Sequence, residues 1–244
     1  MGHATAQDAG IIDNGSLVRR WITYIVGIYV LTLGVSLAIR AGIGVSPQSS
    51  LTRTMTLIFP GVSQGTFNFA LEILMLILAF LVMPKGFKWR NLLSLIPSAI
   101  LAFLLDVNLS LTEWVMPEPY LAKLALLLFA DALLALGLFM MIRANLVLMP
   151  IDLFVNTLHL KTGRKWGNLK TIFDCCLLIT SAGIGLLFLG APQFIREGTI
   201  LNAIFVGQYI KLYTWIFMKL SGRRAVAADR DTVVEAERSA DSPS

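Results

Sequence analysis

Six stretches of about twenty mostly apolar residues decide what this 244-residue chain can become. They fall at roughly 21–40, 66–83, 91–111, 121–142, 168–190 and 198–219, each long enough as a helix to cross a hydrocarbon layer of about 30 Å. Inside such a layer every backbone N–H and C=O must find a partner within the protein, and runs of this length satisfy that demand as α-helices. Apolar residues make up 56% of the chain and charged ones 14%, with mean hydropathy +0.74, outside the soluble range. The expectation is an all-α membrane protein of six transmembrane helices, whose first partner is the lipid bilayer.

Lysine and arginine in short loops stay cytoplasmic, so their placement orients the spans. With the N-terminus inside, the inner side receives Arg19, Arg20, Lys85, Lys88, Arg90, Arg143, Lys161, Arg164, Lys165, Lys170, Lys219, Arg223 and Arg224. The outer side receives Arg40, Arg53, Lys123 and Arg196, and its loop at 112–120 carries Glu113 and Glu118. The predicted location is therefore a cytoplasmic (inner) membrane with both termini in the cytoplasm. The net charge of +5 is a topology signal, and nucleic acid is not an expected partner. Residues 1–18 contain acids and lack an apolar core ahead of Arg19, so the first span is expected to act as its own insertion signal.

Shifting the sequence on itself by 103 positions aligns Leu31–Leu57 with Leu134–Leu160 and gives nine identities in 27 positions: Leu31, Leu33, Gly34, Ile39, Arg40, Ala41, Pro47, Thr54 and Leu57. Shared Gly, Arg and Pro are not explained by hydrophobicity, so the chain is duplicated. A neighbouring register sets Gly65 and Glu72 opposite Gly167 and Asp174, and a weaker one sets Ala102 and Asp106 opposite Gly207 and Lys211. Three crossings per half is an odd number, so the halves run in opposite senses. Inverted repeats of this kind are typical of secondary transporters, with the solute near the midplane. The expected organisation is a cytoplasmic segment 1–18, a first repeat 19–111, an outer linker 112–120, a second repeat 121–220 and a disordered cytoplasmic tail 221–244.

After the first span comes "IRAGIGVSPQSS", and after the fourth "IRANLVLMPIDL". Gly42 and Gly44 favour a break, and Ser46 followed by Pro47 has the chemistry of an N-cap and first helical residue. Each break should open a short, non-spanning half-helix, over 47–59 and over 150–160, with Asp152 in the first turn of the second. Irregular backbone at membrane depth survives where it is buried in protein or lines a wet cavity. Candidate solute-binding residues are therefore Arg40, Pro47, Gln48, Ser49 and Ser50 with Glu72, and in the second half Arg143, Pro150 and Asp152 with Asp174. Free N–H groups at a half-helix start would favour an anionic group, with Arg40 or Arg143 as countercharge. The competing reading has both arginines snorkelling to the interfaces.

Charges inside spans cost about 2.5–3.5 kcal/mol each on insertion scales, so Glu72, Asp106, Asp131, Asp174 and Lys211 need partners or water. Asn68 lies one turn from Glu72 on the same face. Asp174 is one turn from Lys170 and is readable as a simple salt bridge. Lys211 either snorkels or forms a buried ion pair with Asp106 or Asp131. Gly34, Gly137, and Ser181 with Gly185 are expected at close helix crossings. Cys175 and Cys176 are adjacent within a span, which suits packing and not a metal site. The chain offers no GxSxG elbow, no GxxxxGK[ST] loop and no His and acid cluster, so neither enzyme activity nor a cofactor is expected.

Two stretches, "LGVSLAIRAGIGVSPQSS" and "EGTILNAIFVGQYIKL", resemble the YitT/YczE group of bacterial integral membrane proteins over roughly residues 20–217. The first is similar to the group's G-x-[ST]-P signature, and Thr199, Ala203, Gly207 and Ile210 match its last-span pattern. Ser49, Lys211 and Arg196 depart from it. The resemblance implies a transporter-like membrane protein. Together with the repeat it gives the leading expectation, a carrier for a small anionic or amphipathic solute. A solute-capturing subunit of a separate ATP-driven transporter, or a membrane scaffold for biosynthetic enzymes, are the alternatives, and either would bring a membrane-associated protein partner.

Overall fold

The structure, a computed structural model, describes residues 16–192, 194 and 196–220. The expected tail 221–244 and all but the last three residues of the expected segment 1–18 lie outside these. Among the described residues six helices are long and apolar enough to cross a membrane, and the fold is that of an all-helical, multi-pass membrane protein. In chain order they are α1 (Leu17–Ala41), the half-helix α2 (Pro47–Ile58), α3 (Gln64–Val82), α4 (Leu95–Leu111), α5 (Tyr120–Ala144), the half-helix α6 (Pro150–Thr162), α7 (Trp166–Leu189) and α8 (Glu197–Leu220). Two 3₁₀ turns, Pro84–Gly86 and Trp89–Ser94, join α3 to α4, and the second extends the apolar run of α4 back to Trp89.

Helix ends follow the local chemistry. Gly42, at φ 69°, caps α1 in the left-handed conformation, and Asn145, at φ 46°, does so for α5. Ser46 then caps α2, its hydroxyl accepting from the Ser49 N–H, and Pro47 is the first helical residue. Met149 precedes Pro150 in α6 but has no side-chain oxygen to offer, so that helix start lacks a local cap.

The two halves exchange their half-helices. α2 packs on α7 of the second half and α6 on α3 of the first, while α1 and α5 form the central contact. That crossing is tight because a Cβ on Gly34 would stand 2.6 Å from the Leu134 nitrogen, and one on Gly137 2.5 Å from the Leu31 nitrogen. α1 also packs on α4 as α5 does on α8. The pairing is thus repeated with the partners swapped, as two inverted three-helix units require.

One pairing is not repeated. α3 packs closely on α4, with Gly65 against the Ala102 carbonyl and the Asp106 carboxylate. Asp106 accepts from the Gly65 N–H at 2.7 Å and the Ser63 hydroxyl at 2.6 Å. α7 and α8 have no such interface, and a Cβ on Gly167 or Gly207 would meet nothing within 4 Å. In the weaker repeat register Lys211 stands where the first half has Asp106, so the second half has no counterpart of the carboxylate that holds Gly65.

Candidate functional site

Both half-helices begin in the middle of the bundle, at Glu72. Residues 42–46 run back from the end of α1, clamped against the start of α8: the Gly198 N–H donates to the Ile43 carbonyl at 2.8 Å, and Gly44 lies against Thr199. Only a residue without a side chain fits at Gly44, whose φ is 134°. Residues 145–149 return in the same way from α5. Tyr24 of α1 donates to the Val147 carbonyl at 3.0 Å, and Ser98 of α4 lies 3.7 Å from the Met149 sulfur.

Glu72 is 2% exposed and bonds to both halves. Oε1 accepts from the Gln48 amide at 3.2 Å, and Oε2 accepts from the Ile151 N–H at 3.2 Å. A carboxylate from α3 therefore supplies the cap that Met149 cannot give α6, and the positive end of the α6 dipole favours its charge. Asp152, half-buried in the first turn of α6, acts electrostatically on both Glu72 and Tyr24. Pro47, Gln48, Glu72, Pro150 and Asp152 are thus brought to one centre.

Along α3 the polar face continues toward the start of the helix. Gln48 also donates to the Asn68 oxygen at 2.9 Å. Gln64 and Asn68 are 2% and 4% exposed, yet both amide atoms of Gln64 and the amide nitrogen of Asn68 have no hydrogen-bond partner among the described residues. Buried amides in that condition mark a place where water or a solute belongs. Gln64 went unnoticed in the sequence, although it precedes Asn68 and Glu72 at four-residue spacing.

Other candidates lie elsewhere. Ser49 bonds back to Ser46, and Ser50 shares Ser181 of α7 with Thr54, at 2.9 and 3.1 Å, tying α2 to the second half. Asp174 pairs with Lys170 at 2.9 Å and is partly exposed; it makes no hydrogen bond to the Glu72 centre, while Lys170 acts electrostatically on Glu72. Neither arginine supplies a countercharge to Glu72. Arg40 donates to the Leu109 carbonyl at 2.7 Å, and Arg143 lies 4.1 Å above the Phe217 ring. The proposed ion pair is not formed: Asp131 accepts from Asn202 at 2.6 Å, Asp106 holds Ser63 and Gly65, and Lys211 is exposed. Both acids are engaged by other donors, and among the described residues Lys211 has no carboxylate partner.

Two small cavities flank the centre at opposite ends of the bundle. One, of about 280 Å³, is at the Arg40 end, and the other, of about 230 Å³, lies between Arg90, Ser94 and the segment 146–148. The architecture is that of a multi-pass helical membrane protein whose oppositely oriented halves meet on one buried carboxylate. The family model for the family of unknown function DUF6198 matches residues 18–215, and the chain belongs to that family. No curated protein and no solved structure gives a significant match.

Proposed function

We propose that the protein binds a small polar solute where the two half-helices converge on Glu72 and carries it across a bacterial cytoplasmic membrane. The observation that supports this is the double engagement of Glu72, through Gln48 with one half and through Ile151 with the other. A solute that takes the carboxylate's hydrogen bonds would loosen one half from the other, which is the event alternating access needs. The Gln64 amide and the Asn68 amide nitrogen, unpartnered among the described residues, and the cavity at the Arg90 end fit a polar route to that centre. Because a resident carboxylate already fills the start of α6, the centre suits a solute with hydrogen-bond donors. The transporter-like character of the YitT/YczE group, which the break motifs resemble, agrees with this reading, as does the placement of both termini in the cytoplasm by the positive loops.

Thermal unfolding of the purified protein against a panel of polar solutes tests it, since binding to the folded state raises the melting temperature. A stabilising solute whose effect is lost in Glu72→Gln supports the site. A panel hit that survives Glu72→Gln and Asn68→Ala places binding elsewhere and overturns it. The second reading, an accessory subunit, draws on α8, where Gln208 and Lys211 are exposed on a helix of spanning length. Copurification of one defined membrane protein, lost in Lys211→Leu, would favour it.

A further inference from the structure

The cavity at the Arg40 end is built differently from the Glu72 centre. Arg40 of α1, Arg53 of α2 and Lys123 of α5 line it, with apolar walls from Val115, Met116 and Phe194, and no carboxylate contributes to the lining among the described residues. Arg40 and Arg53 are half-buried and close enough to repel each other. The Nε of each is buried without a hydrogen-bond partner. Snorkelling would place these guanidinium groups in water, whereas here a donor on each is withheld from it.

Helix capping accounts for one bond of the cluster, from Arg40 to the Leu109 carbonyl in the last turn of α4 at 2.7 Å, but among the described residues the Arg53 and Lys123 side chains close no helix end. At the other end of the bundle Arg20 donates to the Ala144 and Asn145 carbonyls at 2.9 and 2.6 Å, closing the end of α5. Lys123 is the counterpart of Arg20 at the 103-residue shift, beside Ala41 and Gly42, but its ammonium makes no such bond among the described residues. Three cations around a space of about 280 Å³, just below the roughly 300–1,000 Å³ usual for ligand pockets, call for a compact anion. The guanidinium fork matches carboxylate and phosphate oxygens, and the apolar walls suit a short hydrocarbon body.

We propose that this cavity binds the carboxylate or phosphate of a small amphipathic organic anion between Arg40, Arg53 and Lys123. The site stands apart from Glu72, so it holds or fails independently of the midplane reading.

Calorimetric titration of the full-length protein in uncharged detergent with octanoate, inorganic phosphate and short-chain phosphatidylglycerol tests it. Saturable binding of at least one probe is expected, weakened about tenfold or more in Arg53→Gln and in Lys123→Gln, as loss of a charge-assisted hydrogen bond requires. Arg53→Lys, which keeps the charge and loses the fork, should weaken it less than Arg53→Gln does, and Lys88→Gln, on the exposed connection between α3 and α4, should leave it unchanged. Binding of octanoate or phosphate identifies a free solute, and binding of phosphatidylglycerol alone identifies a lipid headgroup. No saturable binding of any probe overturns the proposal, as does binding that Arg53→Gln and Lys123→Gln both keep or that Glu72→Gln alone removes. If Arg53→Gln does not fold, Lys123→Gln at the cavity wall decides.

Discussion

The carboxylate of Glu72 accepts the backbone N–H of Ile151, 79 positions along the chain, at 3.2 Å. It is a helix cap supplied by the opposite repeat. Glu72→Leu leaves the Ile151 donor and the Gln48 amide buried without that acceptor, and should lower stability by about 1–3 kcal/mol. Glu72→Gln keeps an acceptor of the same shape and should cost less. Denaturant unfolding of both in detergent checks the order; equal losses would mean that the side chain's bulk, not its hydrogen bonds, holds the halves.

Gly65 and Gly167 occupy equivalent positions in the two repeats but different surroundings. A methyl group on Gly65 runs into the Ala102 carbonyl and the Asp106 carboxylate, whereas one on Gly167 meets nothing within 4 Å. Gly65→Ala should therefore destabilise by about 1–3 kcal/mol through overpacking. Gly167→Ala should stabilise by up to about 0.5–1 kcal/mol, the helix-propensity difference. Melting temperatures moving the same way in both variants would show that α7 and α8 close on each other as α3 and α4 do.

Asp131 is fully buried and accepts from Asn202 at 2.6 Å, while its second oxygen has no partner among the described residues. Removing the donor in Asn202→Ala should cost about 1–3 kcal/mol. The double variant with Asp131→Leu should recover part of that, giving a coupling energy above about 0.5 kcal/mol in a double-mutant cycle. Strict additivity would show that the contact does not fix α8 to α5.

The loops after α2 and α6 should face opposite sides of the membrane. With Cys175 and Cys176, both exposed, replaced by serine, an impermeant thiol reagent on intact cells should label Gly61→Cys and spare Arg164→Cys. The reverse pattern would turn the protein over and leave the repeat intact. Labelling of both would end the inverted-repeat description.

The half-helices were legible in the sequence because single residues specify them. Gly42 supplies a left-handed turn, Ser46 an oxygen for the next helix and Pro47 its first residue, and the structure has α2 beginning at Pro47. In the second copy Pro150 marked α6 equally well, while Asn145 takes over the left-handed position of Gly42. Partners across the bundle were far less legible. Helical spacing put Asn68 and Glu72 on one face but could not say that Ile151 would lie opposite. Nor could it tell whether Asp106 would meet Lys211 or the Gly65 N–H, because that choice depends on how α4 is rotated against its neighbours. Arg53, in the expected half-helix, and Lys123, at the start of the fourth expected span, counted only as outer-side charges, and only the fold brings them to one cavity with Arg40.

The bonds from Arg20 to Ala144 and Asn145 join residues 124 and 125 positions apart. At a synthesis rate of about 5–20 residues per second, roughly 6–25 s pass between the emergence of this arginine and that of its acceptors. Until α5 has been made, α1 lacks both the carbonyls that Arg20 closes and the backbone against which Gly34 packs. The order in which the helices are made thus leaves the central seam to close late, when the second repeat arrives to meet the first.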